Sequence, residues 1–175
     1  MKFFILTFFI GVSIVGIGQD LDPLLVREMY FEGWQGTCGA TELSDLLSEH
    51  EVNEDPLLLA YKGAALATLA KCKKTPFSKM SVFKDGKSLL NEAVAKAPES
   101  LEIRFLRYTI QTNIPNFLNY NNQEEDKKLI LEILTLHKDA PNDDDLNQRI
   151  IQYLNDAGAL SEKEQKQVKM LTAGG

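Results

Sequence analysis

The sequence predicts an all-α protein of about eight helices, arranged as antiparallel pairs stacked into a short solenoid. Three observations lead there. Pro56, Pro98 and Pro141 lie 42 and 43 residues apart, and a new helical pattern begins at or just after each. A fixed period of about 20–50 residues is how repeat architectures show themselves in sequence. Apolar residues recur at three and four through most of the chain, and no stretch alternates strictly enough to be read as a strand. One helix pair cannot bury its own apolar face, so neighbouring pairs complete a shared core.

The first residues stand apart from this pattern. Lys2 supplies a positive start, and Phe3 to Val15 is apolar apart from Thr7, Gly11 and Ser13. Small residues follow at Gly16 and Gly18. That order is expected of a secretory signal peptide, residues 1–18, cut before Gln19. The apolar run is shorter than the roughly 20 residues of a spanning helix. The competing expectation is a chain tethered by an uncleaved N-terminal helix. Residues 19–175 then form a single helical-repeat domain, exported and periplasmic, with no stable membrane insertion after cleavage.

The helices follow in order. The first runs from about Asp22 to Gly33, with Pro23 suited to a first turn. The second runs from about Cys38 to Glu49. The third, about Pro56 to Lys73, is apolar on nearly all sides, which marks a buried, central helix. The fourth, about Lys79 to Ala97, carries one stripe through Val82, Phe83, Gly86, Leu89, Leu90, Ala93, Val94 and Ala97. The fifth, about Glu99 to Asn113, turns Leu101, Phe105, Leu106 and Ile110 inward. The sixth, about Glu124 to Lys138, presents Leu129, Ile130, Ile133, Leu134 and His137. The seventh, about Asp143 to Asp156, stops at Gly158, a good C-cap residue. The eighth opens with Ser161-x-x-Glu164, a capping box, and is mostly polar, as a terminal unit facing water should be.

Gly86, Leu90, Ala93 and Pro98 reproduce the second-helix spacing of a tetratricopeptide repeat, and Leu129, Ile133, Leu136 and Pro141 repeat it with larger residues. From Leu57 to Pro141 the chain therefore resembles the tetratricopeptide family. Its period exceeds the family's roughly 34 residues, a difference assigned to longer links between the third and fourth helices and between the fifth and sixth. The first-helix pattern keeps only Gly63 and Leu66. A wider resemblance is to small exported bacterial proteins with segments like Tyr61 to Ala67 and Glu102 to Arg107. It implies the helical-repeat fold and no particular activity.

Net charge narrows the function classes. Loss of Lys2 takes the formal charge from -6 to -7, which argues against nucleic acid as a partner, since that affinity rests on phosphate neutralisation. There is no Gly-rich phosphate loop, no G-x-S-x-G and no H-E-x-x-H. No cofactor is implied. Cys38, Cys72, His50 and His137 do not make up a metal-binding set. Asp143, Asp144 and Asp145, like Glu124, Glu125 and Asp126, open helices and complement the helix dipole. Cys38 begins one helix and Cys72 ends the next, so antiparallel packing would allow a disulfide, worth about 2–4 kcal/mol as a staple between pairs.

The links within pairs carry Trp34, then Pro76 and Phe77, then Pro115, Phe117, Leu118 and Tyr120. Aromatics along one edge would form a recognition rim, because such residues are favoured interface anchors. Alternatively each ring folds back onto its own hairpin. Lys71, Lys73, Lys74 and Lys79 cluster beside that edge and would steer an acidic partner. Arg104 and Arg107 share a helix face. With Lys62 or Tyr108 they would make a carboxylate-binding groove, or else pair at the surface with Glu102 and its neighbours. The expectation is a non-catalytic interaction protein that takes a protein or peptide partner through Trp34, Phe77, Phe117, Tyr120, Arg104, Arg107 and Lys62. The alternatives are an enzyme with a site around His137, Arg104 and Arg107, or a carrier of an apolar ligand.

Overall fold

The computed structural model describes residues 21–33, 38–136, 144–157 and 160–172. Trp34, His137, Pro141, Gly158 and residues 1–18, expected to form a signal peptide, lie outside the described residues. Among those described there are eight α-helices and no strand: α1 Pro23–Gly33, α2 Ala40–Glu49, α3 Pro56–Leu69, α4 Pro76–Lys96, α5 Leu101–Thr112, α6 Gln123–Leu136, α7 Asp144–Asp156 and α8 Glu162–Thr172. Short 3-10 helices occupy Ala70–Cys72 and Asn116–Leu118. No described helix is long and apolar enough to cross a membrane.

Side-chain oxygens start several of these helices by accepting first-turn N–H groups, which otherwise lack partners. Asp55 accepts from Leu57 and Leu58 at 2.7 and 3.1 Å, with Pro56 in the first turn of α3. Ser100 caps α5 and Ser161 caps α8, the latter reciprocally with Glu164. Thr75 and Ser78 form a capping box that starts α4 at Pro76. The fourth helix therefore begins three residues before the expected Lys79, and Pro76 and Phe77 sit in its first turn rather than in a link. In this unit the extra length lies in a 21-residue α4 and not in a long α3–α4 connection, whereas the link between α5 and α6 is long, as expected.

α3 is buried along most of its length, and its backbone meets that of α4. A Cβ on Gly63 would stand 2.8 Å from the Gly86 carbonyl oxygen, and one on Gly86 would stand 2.6 Å from the Gly63 oxygen. Only two glycines allow so close a crossing. α5 shares the central place with α3, because every residue from Glu102 to Gln111 is buried. Its Ile103, Leu106 and Ile110 enter one apolar cluster with α1 to α4, while Phe105 and Tyr108 enter another with α6, α7 and α8. α5 is the wall between two cores.

The inward face of α6 is rotated from the expected one. Ile130, Leu131 and Leu134 are buried together with Asp126 and Lys127, while Leu129 and Ile133 are half-buried and Leu136 is 79% exposed. In a linear stack each unit touches only its neighbours. Here α1 also reaches α5, through Arg27–Glu102 and Phe31–Phe105, and α7, through Glu28–Arg149. Cys38 and Cys72 are joined by a disulfide, with Cα atoms 5.9 Å apart, which ties the start of α2 to the end of the 3-10 helix after α3.

Candidate partner-binding groove

Arg104 and Arg107 do not face solvent. Arg107 forks onto Asp126, its Nε donating to Oδ2 at 2.7 Å and its Nη2 to Oδ1 at 2.6 Å. Arg104 donates through Nη1 to Asp126 Oδ1 at 2.8 Å and to Glu125 at 2.7 Å, and through Nε to the Pro98 carbonyl at 2.7 Å. Asp126 is 0% exposed. Glu102 is taken by a second fork, from Arg27 Nε and Nη2 at 2.7 Å each, and by the Tyr61 hydroxyl. These two arginines therefore offer no carboxylate-binding groove, and Glu102 is not their surface partner. A buried guanidinium needs an internal counter-charge to offset its desolvation, and α6 supplies it. Lys62 is half-buried on α3, and Tyr108 is buried edge-on against Tyr153.

The rim aromatics divide. Tyr120 is buried: its hydroxyl donates to Asn91 at 3.0 Å, its ring meets the edge of Phe83, and Lys87 Nζ lies 4.8 Å over its centre. Burial pushes its phenol well above the usual tyrosine range. Asn119 permits this fold-back by adopting φ 48°, a left-handed conformation that asparagine tolerates better than most residues. Tyr120 is a fastener for the α5–α6 link, not a rim residue. Phe117 and Phe77 are 74% and 85% exposed.

Beside Phe117 lies an apolar groove of about 350 Å³. The end of α3 and its 3-10 extension contribute Ala67, Ala70 and Lys71, while α4 contributes Pro76, Lys79, Met80 and Phe83. The α5–α6 link closes it with Asn113, Ile114, Pro115, Phe117 and Leu118. Its shape depends on the break that turns α3 into a 3-10 helix and on the bridge at Cys72, one residue beyond Lys71. The sequence marks Pro76, Pro115, Phe117 and Leu118 as link residues. Met80 and Ile114 were not legible as groove residues, since neither differs locally from an ordinary core position.

Charge around the groove is one-sided. Residues 56–84 contain six lysines (Lys62, Lys71, Lys73, Lys74, Lys79 and Lys84) and no acid, and residues 108–123 contain no charged side chain. The net charge of -6 thus divides into +6 in that stretch and -12 in the rest.

A second cavity, of about 260 Å³, lies among Phe31, Phe105, Arg149 and Tyr153. Arg149 stacks over Phe31 and is neutralised by Asp145 at 2.7 Å and Glu28 at 3.1 Å. Its cation is already committed.

Comparison of the chain with protein-family models, with curated proteins and with solved structures returns no match.

Proposed function

We propose that this is an exported, tetratricopeptide-like interaction protein that binds a protein or peptide partner without catalysis, through the groove between α3, α4 and the α5–α6 link. One observation carries the reading: an apolar groove of about 350 Å³ lies open beside Phe117, and Phe77 stands exposed nearby in the first turn of α4. Apolar concavities with a few polar groups at the edge are the usual form of a binding site, and exposed aromatics are favoured anchors. The repeat-like reading is supported by the α3/α4 pair, where Gly86, Leu90 and Ala93 are buried at the family's spacing. Export is supported by the Cys38–Cys72 disulfide, a bond that persists in oxidising compartments. No covalent step is included, since Arg104, Arg107 and Glu102 are all engaged by internal partners.

The test is capture from an envelope extract, comparing the native protein with a Phe117→Ala, Met80→Ser variant. A partner retained by the first and lost by the second, at unchanged helicity by circular dichroism, supports the groove. Equal capture by both removes it. A co-purifying lipid or small molecule in native mass spectra would favour a carrier of an apolar ligand instead.

A further inference from the structure

The protein uses its positive charges unevenly. All four arginines make internal ion pairs: Arg27 with Glu102, Arg104 and Arg107 with Asp126, and Arg149 with Asp145 and Glu28. Lys96, Lys127 and Lys128 also have carboxylate partners. The lysines of the groove edge do not. Among the described residues, none of Lys71, Lys73, Lys74 and Lys79 has a carboxylate within ion-pair distance, and all four are exposed. Lys71 and Lys79 line the groove itself, while Lys73 and Lys74 lie in the turn between them. The nearest acids along the chain are Asp55 and Asp85, so nothing close in sequence offsets this charge. A protein that neutralises its buried cations so fully, yet leaves this edge uncompensated, presents a positive rim around an apolar slot.

We propose that the occupant of this groove is an acidic segment of a partner protein, held with one large apolar side chain in the slot and with flanking Asp or Glu carboxylates on Lys71, Lys79, Lys73 and Lys74. This rests on the reading of the groove as the binding site. Its volume falls at the low end of the roughly 300–1,000 Å³ usual for ligand pockets. That size suits one or two side chains, not a whole helix face. The lysines act first by steering: complementary potential speeds encounter and sets register, and salt weakens both. The apolar contact then supplies the area removed from water. An anionic bilayer would also meet the lysines, but its surface has no discrete side chain to enter a concave slot.

The experiment selects a random peptide library displayed on phage against the disulfide-bonded protein. It counter-selects on a Lys71→Glu, Lys73→Glu, Lys74→Glu, Lys79→Glu variant and on Phe117→Ala. These sites are exposed, and circular dichroism checks that helicity is kept. The expected winners combine Phe, Trp, Leu or Met with neighbouring Asp or Glu. The affinity of a synthesised winner should fall roughly tenfold or more on the lysine reversal, and fall again with added salt. Winners that are apolar without acids, lost on Phe117→Ala but indifferent to the lysine reversal, would overturn the acidic partner and leave the groove as a binding site. Winners indifferent to both variants would overturn both readings. An empty selection together with lysine-dependent sedimentation on phosphatidylglycerol vesicles would overturn the peptide in favour of a lipid surface. An empty selection without vesicle binding would overturn both.

Discussion

At the α3–α4 crossing two backbones nearly touch, with Gly63 against Gly86 and Leu90, and no charge takes part. At the α5–α6 contact the helices are joined by Arg104 and Arg107 closing on a fully buried Asp126, with Glu125 at the rim. One interface turns on shape alone and the other adds buried charge to its apolar contacts, though both join consecutive helices of one chain. Shape complementarity fails when volume is added. A buried ion pair fails when one partner is removed, because the other is left desolvated and uncompensated. The two halves of the core therefore have different weak points, and different perturbations should find them.

The largest effect is expected at Asp126. Asp126→Ala removes the buried counter-charge of Arg107 and leaves Arg104 only the rim carboxylate of Glu125. It should cost about 3–5 kcal/mol, read as a shift in the urea midpoint. A cost near zero would mean that water already reaches the pair. Next comes Gly86→Ala. In an exposed helix interior that change gains up to about 1 kcal/mol, but here the new methyl meets the Gly63 oxygen and the Ala67 nitrogen. The expected outcome is a loss of about 1–3 kcal/mol; a gain would show that α3 and α4 separate cheaply. The sign alone decides it.

The smallest effect is acid sensitivity confined to one interface. The hydrogen bond from Arg104 holds the Glu125 carboxyl below its usual range. A carboxyl depressed in the folded state stabilises it above the unfolded pKa. That contribution begins to fade as pH falls to the unfolded carboxyl's pKa and is gone once pH passes below the folded value. Among the described residues the α3–α4 crossing contains no carboxylate, since Asp55 lies at the start of α3 and Glu102, the partner of Tyr61, lies on α5. Amide protection, corrected for the intrinsic slowing of exchange in acid, should thus fall in α6 before it falls in α3. Simultaneous loosening would show that the two interfaces open as one unit.

The shape-held interface was the more legible in the sequence. Gly86, Leu90 and Ala93 announce a buried stripe because helical period reports one-sided burial, and Asp55 with Pro56 announces a helix start. Asp126 announces nothing. A carboxylate in a first turn ordinarily complements the helix dipole, and its role depends on guanidiniums 19 and 22 positions away. Thr75 escaped notice because its capping box is closed by Ser78 where the familiar pattern has Glu or Gln. Tyr120 reads as a loop aromatic among asparagines, and only the left-handed turn at Asn119 sends it inward. The groove gathers three segments whose proximity no local pattern encodes, though its lysines and link aromatics were visible individually.

The Cys38–Cys72 bond closes a covalent ring 34 positions around, and that ring contains the exposed residues Glu51, Asn53 and Glu54 between α2 and α3. A protease cutting there severs the backbone without parting the pieces. The nicked molecule migrates as one species on a gel until a reductant is added, and only then as two. A single cleavage at that tip thus leaves both halves still tethered to one another.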